Sequence, residues 1–365
     1  MLNKKNEMKE ALAKLSSEIR DIDLSDRSLV VWGAGNTSCL AQESFNRYGI
    51  DPLFYVDENE EKQKGPFYGH KVLSPDGLSG VDDPIVLISS GNVGFTDDIR
   101  SKLSRTGLRN LTLDEYFFGK NADRLIRAAD MLSDDRSVEV YCSMVLNRLN
   151  NRLPDTDTIS DDQYFVLPEF KKIAAGDVFV NIGAYKGEEI EKYLEHCSGK
   201  GFGKIISFEP DRDNFTEISA LTDRLRKKWN IGSDRIRSVM AAVSDVTKTS
   251  FFRSEGERSL VDETATNTGS SVDIYSLDDL MPGERIDLLK ADIESFELRM
   301  LHGAEKLIVS NVPKIAVSIY HSPADLFDII EYLSDLDIGY RFSVRHHSKK
   351  FEDTVLYAYT DRERE

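Results

Sequence analysis

At 365 residues the chain is long for one hydrophobic core, so two domains are expected, and 40% apolar with 30% charged residues describes a folded, well-solvated protein rather than a disordered one. A formal net charge of −17 disfavours phosphate-backbone partners, which are gripped by clustered Lys and Arg, and so speaks against a nucleic-acid substrate. Cys39, Cys142 and Cys197 are odd in number, far apart and in no C-x-x-C spacing, so neither a disulfide framework nor a thiolate zinc site is suggested. The N-terminus has no apolar core of a signal peptide, and no run nears the roughly 20 apolar residues of a membrane span. The expected setting is the cytoplasm, with no membrane partner.

Met8, Leu12, Leu15 and Ile19 are spaced as one face of an amphipathic leader helix. The run Leu29–Trp32 reads as a strand, followed by Gly33-Ala-Gly35-Asn36, a helical pattern to Tyr48, and a second strand Leu53–Val56 ending in Asp57. A strand over Pro84–Ile88, a helix over Thr96–Ser104 and a strand near Asn110 complete a small parallel sheet covered by helices. Two of the three glycines of a dinucleotide loop stand at Gly33 and Gly35, with Asn36 beside them and Asp57 placed as a ribose acid; a nucleotide, a nucleotide-sugar or NAD is the ligand class considered there. The alternative is a retained fold used for packing or dimerisation, so a homo-oligomer is compatible with the sequence. Residues 1–112 are assigned to this Rossmann-like domain.

Residues 113–162 are predicted as a helical linker ending in the polar stretch Pro154–Asp162. From 163 to 365 a second β/α alternation begins, with strands at Val178–Val180, Lys204–Phe208, Ile236–Ala241, Ile286–Lys290 and Lys314–Ile319. Tyr340–Val344 and Thr354–Tyr359 read as a terminal β-hairpin, with His346 and His347 in its exposed turn. The fold class is thus α/β, with two doubly wound Rossmann-like domains. The polar stretch Ser254–Ser271 is expected to be a mobile loop, either a lid or an inert excursion.

In open α/β sheets ligands gather at the carboxyl ends of the strands. After the first strand of the second half comes Asn181-Ile-Gly183-Ala184-Tyr-Lys-Gly187, whose glycines permit a tight turn and a close ligand. The helix behind it opens with Glu188, Glu189 and Glu191, which oppose a pyrophosphate but suit a ligand carrying a sulfonium and an ammonium. That favours S-adenosylmethionine over NAD. Glu209-Pro210-Asp211 follows the second strand, where a carboxylate can accept both hydroxyls of an adenosine ribose. Ala242-Val-Ser-Asp245 follows the third, Lys290-Ala-Asp292-Ile-Glu294-Ser295-Phe-Glu297 the fourth, and Tyr320-His321 the fifth.

This order of motifs resembles the FkbM-type methyltransferase family, whose pattern runs as a glycine loop, F-E-P, A-V-S-D, L-D-x-L, K-x-D-x-E-G-x-E and L-x-G-A. The counterparts here are Phe208–Pro210, Ala242–Asp245, Leu277–Leu280, Lys290–Glu297 and Leu301–Ala304. The resemblance implies a class I methyltransferase fold with Asn181, Gly183, Ala184, Gly187, Glu209, Pro210, Ala242 and Asp245 around the cofactor. The family has Asp where this chain has Asn181, and Gly where it has Ser295.

A hydroxyl acceptor is a weak nucleophile and calls for a base or a metal. His321 is the candidate base, with Asp292 and Glu294 orienting the acceptor; the same three residues are the candidate ligands of a divalent ion. Lys290 is expected to neutralise those acids, and Tyr164-Phe165 to line the acceptor pocket or pack in the core. The expected partner is a sugar, glycan or other small hydroxylated metabolite. Two alternatives stand beside methyl transfer: a nucleotide- or sugar-binding scaffold with a degenerate methyltransferase fold, suggested by Asn181 and Ser295, and an NAD-linked oxidoreductase using Gly33 to Asp57.

Overall fold

The computed structural model describes residues 2–22, 28–198, 201–255, 258–261 and 270–361. The chain divides into two compact units, one of Met1–Ile159, Tyr320–Phe327 and Ser348–Glu352, the other of Ser160–Ile319, Asp328–His347 and Asp353–Glu365. Among the described residues, no helix is long and apolar enough to cross a membrane.

The first unit opens with helix α1 (Leu2–Glu18) and continues through β1 (Leu29–Trp32), α2 (Asn36–Tyr48), β2 (Phe54–Val56), β3 (Val72–Leu73), β4 (Ile85–Ile88), α3 (Val93–Thr106) and β5 (Arg109–Thr112). Its five strands are parallel in the order β3-β2-β1-β4-β5. All residues of β1 and β4 are buried, as strands covered on both faces must be. Helix α3 begins three residues earlier than its apolar spacing suggests, because Asn92 caps it by accepting the Phe95 amide. Helices α4 (Leu113–Lys120), α5 (Ala122–Met131) and α6 (Asp135–Leu149), the stretch expected as a linker, pack against α1 inside the same unit. Gly119 on α4 makes that approach possible, since a Cβ there would lie 2.5 Å from Ile19 Cδ1.

The second unit runs through α7 (Pro168–Lys171), β6 (Asp177–Ile182), α8 (Glu188–His196), β7 (Phe202–Phe208), α9 (Arg212–Trp229), β8 (Ile236–Val239), β9 (Ala242–Val243), β10 (Lys248–Glu255), β11 (Arg258–Val261), β12 (Ser270–Tyr275), α10 (Leu277–Leu280), β13 (Leu288–Ala291), α11 (Glu297–His302), α12 (Glu305–Asn311) and β14 (Lys314–Ser318). Helix α13 (Asp325–Asp335) crosses the division, and β15 (Arg341–His346) and β16 (Thr354–Tyr359) end the sheet. The seven strands order as β15-β16-β14-β13-β6-β7-β8, with β16 antiparallel to both neighbours, so the terminal hairpin is present and inserts its second strand next to β14. The expected third strand breaks after Val239. Ala242 and Val243 leave the main sheet and pair with β12 in a separate four-stranded sheet, β11-β10-β12-β9. Parts of the stretch expected as a loop, through Glu255, over Arg258–Val261 and from Ser270, are strands of that small sheet; 256–257 and 262–269 lie outside the described residues.

The hairpin histidines are not exposed turn residues. His346 is fully buried, and His347 is held by the Ser160 carbonyl at Nδ1 (2.7 Å) and by Tyr357 at Nε2 (3.0 Å). A carbonyl can only accept, so Nδ1 carries the proton and Nε2 accepts from the Tyr357 hydroxyl. Burial pushes the His347 imidazole from 6.5 down to about 4. The unfolded chain therefore takes up a proton near 6.5 that the folded chain refuses until about 4, and stability falls as pH drops across that window. The loss carried by this group is expected to be about 2 kcal/mol between pH 7 and pH 4.5. Urea titrations of wild type and His347→Gln at the two values check it: the variant should lose less stability on acidification, and equal losses refute the assignment.

Candidate active site

The carboxyl ends of β6, β7 and β13 meet at a set of close backbone approaches. Gly183 (φ 68°) carries the loop from β6 across to β7, where the Gly183 and Ala184 amides both donate to the Phe208 carbonyl at 3.1 and 3.0 Å. A Cβ on Gly183 would lie 1.8 Å from the Asp292 carbonyl oxygen, so glycine lets this loop press against the one after β13. Gly187 (φ 87°) opens α8 and faces Ile218 of α9, whose Cγ1 would stand 2.8 Å from an added Cβ. The two glycines of the motif thus serve two different approaches, one to a backbone and one to a helix.

Glu209, just past β7, is 5% exposed. Its Oε2 accepts from the Tyr185 amide at 2.8 Å and its Oε1 from the Asp211 amide at 3.0 Å, which fixes the carboxylate beside the glycine loop. Burial raises its carboxyl above the usual range, against the pull of these donors. Asp211, its neighbour across Pro210, is committed elsewhere: its Oδ1 caps α9 by accepting from Asp213 and Asn214. Asn181, at the end of β6, is fully buried, and neither of its side-chain polar atoms has a hydrogen-bond partner; the Ser207 hydroxyl, on its register partner in β7, has none either.

On β13, Lys290 pairs in register with Asn181, and its buried ammonium donates to the Gly183 carbonyl at 2.7 Å. It therefore braces the glycine loop. The Asp292 carboxylate accepts from the Tyr164 hydroxyl at 2.7 Å. Ligand atoms of the Asp292 and Glu297 carboxylates lie within 4.8 Å of one another, and the cluster of potential metal ligands at Asp292 includes Glu297 and not Glu294 among the described residues. Glu297 is fully buried and accepts from the Ile293 amide at 2.7 Å, closing the turn of the acidic motif. A signal for it was present: Glu297 shares helical spacing with Met300 and Leu301, both buried, so its side chain faces inward. His321 stands three residues past β14, in the segment that clusters with the other unit.

Glu294 (φ 54°) and Ser295 (φ 77°) both adopt left-handed backbone. At the position where the family pattern has Gly, Ser295 is thus strained, and its buried hydroxyl has no partner. Ser295→Gly is expected to gain about 1 kcal/mol, relief of strain and of the orphaned hydroxyl outweighing the added freedom of the unfolded chain. Chemical denaturation against Ser295→Ala separates the two causes, because alanine removes only the hydroxyl; a glycine variant no more stable than the alanine one would remove the strain argument.

Ala242 lies in β9, and Asp245 is bridged to Arg299 at 2.8 Å and accepts from the Ser244 hydroxyl at 2.9 Å. Burial works against ionisation there, but the bonds from Arg299 and Ser244 prevail and hold its carboxyl below the usual range. The nearby Gly303 has a packing reason: a Cβ would lie 2.0 Å from the Ser244 carbonyl oxygen. In the first unit, Gly33 (φ 121°) passes over Ser89, whose carbonyl oxygen would stand 2.3 Å from a Cβ. Asp57, the expected ribose acid, accepts from the Ala34 and Asn59 amides and from Lys62 at 2.9 Å, and the Lys62 ammonium stands 3.1 Å from where a Cβ on Gly35 would be. Asn36 is the first residue of α2. The acid at that strand end is thus engaged by the protein itself.

Residues 181–342 match the family model described as the methyltransferase FkbM domain. This part of the chain is an FkbM methyltransferase domain. Among solved structures, the chain is similar to the methyltransferase FkbM of Methylobacillus flagellatus KT, at 20% identity and a TM-score of 0.59, over 97% of this chain and 100% of that one. The likeness in fold therefore extends beyond the FkbM domain. An rRNA methylase from Streptococcus thermophilus matches at 11% identity and a TM-score of 0.34, over 55% of this chain and 96% of that one. A precorrin-6y C5,15-methyltransferase from Geobacter metallireducens GS-15 matches at 13% and 0.32, over 57% and 97%. A search of curated proteins found no match to the chain. The strand order of the seven-stranded sheet, with its antiparallel β16, is that of the class I methyltransferase fold.

Proposed function

We propose that the FkbM domain binds S-adenosylmethionine and transfers its methyl group to a hydroxyl of a sugar, glycan or other small hydroxylated metabolite. The observation that carries this is Glu209, a buried carboxylate held by two amides at the end of β7 beside the glycine loop, where remaining lone pairs can accept the two ribose hydroxyls. The buried, unpartnered Asn181 amide at the opening of the same loop fits a polar ligand group, and the acidic first turn of α8 fits a cationic one. The cofactor, when bound, supplies an electrophilic methyl on a sulfonium.

The protein's part is to align a hydroxyl with that methyl and to take its proton. In this reading Asp292 orients the acceptor, with Glu294 two residues on and Glu297 supporting the turn through its bond from the Ile293 amide. His321, beyond β14, is proposed to take the proton. Asp292 and Glu297 are also hard oxygen donors of the kind a divalent cation accepts. Calorimetry with S-adenosylmethionine should give a micromolar Kd, and absence of heat at several hundred micromolar would favour the scaffold alternative. Methyl-labelled cofactor, offered with glucose, N-acetylglucosamine and their UDP conjugates, with and without EDTA, tests the acceptor class. His321→Ala should bind cofactor normally and lose transfer at least about tenfold; unchanged turnover would remove it as the base.

A further inference from the structure

We propose that Tyr164 is a positioning residue for the acceptor-side carboxylate, holding Asp292 in one orientation at the end of β13. Tyr164 is 4% exposed, and its hydroxyl donates to Asp292 Oδ2 at 2.7 Å, a charge-assisted bond that removes one degree of freedom from the carboxylate. The residue is itself held at two points, its ring and its main-chain amide. The Lys290 ammonium lies over the ring face, 5.0 Å from its centroid, while the same ammonium donates to the Gly183 carbonyl of the glycine loop. The Tyr164 amide donates to the Tyr357 hydroxyl at 3.1 Å, and Tyr357 in turn donates to His347.

That second clamp explains an otherwise costly backbone. Tyr164 has φ 70°, a left-handed conformation that a bulky residue adopts only when its surroundings impose it. Burial drives the Tyr357 phenol upward, so it stays protonated and can serve as donor to His347 while accepting from Tyr164. The terminal hairpin thus determines where Tyr164 stands, and Tyr164 determines where Asp292 points. Simple core packing would need the ring but not the hydroxyl, and Phe would then serve as well.

This assignment rests on Asp292 orienting the acceptor. Tyr164→Phe keeps the ring and deletes the donor. It is expected to leave the S-adenosylmethionine Kd within twofold of wild type and to lower kcat at least tenfold on whichever sugar probe the wild type methylates, with KM for the cofactor unchanged. Turnover within twofold of wild type overturns the proposal. A double-mutant cycle with Asp292→Asn, read in urea unfolding, supplies the acceptor-independent arm: the two substitutions should be non-additive by about tenfold in the unfolding equilibrium constant, and additive effects overturn the link even if no probe is methylated. Failure of the wild type to bind cofactor would instead strike the underlying function, visibly in the calorimeter and not in the cycle.

Discussion

Glu209→Ala is expected to weaken S-adenosylmethionine binding by about a hundredfold or more, since each hydrogen bond between a ligand and an ionised group is worth about 1.5–3 kcal/mol and two ribose hydroxyls are at stake. The variant also strands the Tyr185 and Asp211 amides, which now point at the carboxylate. Glu209→Gln is the gentler test: it keeps volume and one acceptor oxygen but turns the other toward a donor, and a loss of about tenfold is expected. Because burial holds this carboxyl above the usual range, the wild type should begin to lose affinity on acidification at a higher pH than an exposed glutamate would dictate. Calorimetric titrations of the three proteins decide the matter. Equal affinities would mean that the carboxylate only ties β7 to the glycine loop.

Gly183→Ala should be the most destabilising single change in the site. Its Cβ would meet the Asp292 carbonyl oxygen at 1.8 Å and the carbon behind it at 2.8 Å, both backbone atoms of the residue that directly follows β13. A loss of about 3 kcal/mol or more is expected, roughly 6–12 °C in melting temperature for a domain of this size. Gly187→Ala is the control. It has positive φ as well, but its added methyl meets side-chain carbons of Ile218 and Leu221, which can yield, so about half the loss is expected. Thermal melts of both variants test the ranking, and a milder Gly183 variant would contradict the close approach.

Most strands of the five- and seven-stranded sheets were legible because their apolar runs are short, continuous and bounded by turn residues, as in Leu29–Trp32 and Lys314–Ser318. Glu209 was legible for a similar reason, standing directly after a strand and before a proline. What escaped was carried by long-range contact. Nothing local tells Ala242-Val243 to leave the main sheet for β12, or Asp245 to be claimed by Arg299. Asp57 has the spacing of a ribose acid, yet Lys62, only five residues on, occupies it. His347 looked exposed because it is polar and sits by a turn, whereas its neighbours Ser160 and Tyr357 arrive from other parts of the chain. Glu297 was not named for the site, although its helical spacing with the buried Met300 and Leu301 marks an inward-facing side chain.

The brace from Lys290 to Gly183 joins residues 107 apart, and the bond from Tyr164 to Asp292 joins residues 128 apart. During synthesis the glycine loop thus leaves the ribosome well before the strand that will support it, and about half of the domain must wait for β13 before the central strands can close. High contact order of this kind slows folding and leaves edges exposed meanwhile. A fragment ending before Leu288 would keep every glycine of the loop and yet lack the ammonium that braces it, so no amino-terminal piece of the domain is expected to work as a minimal cofactor binder.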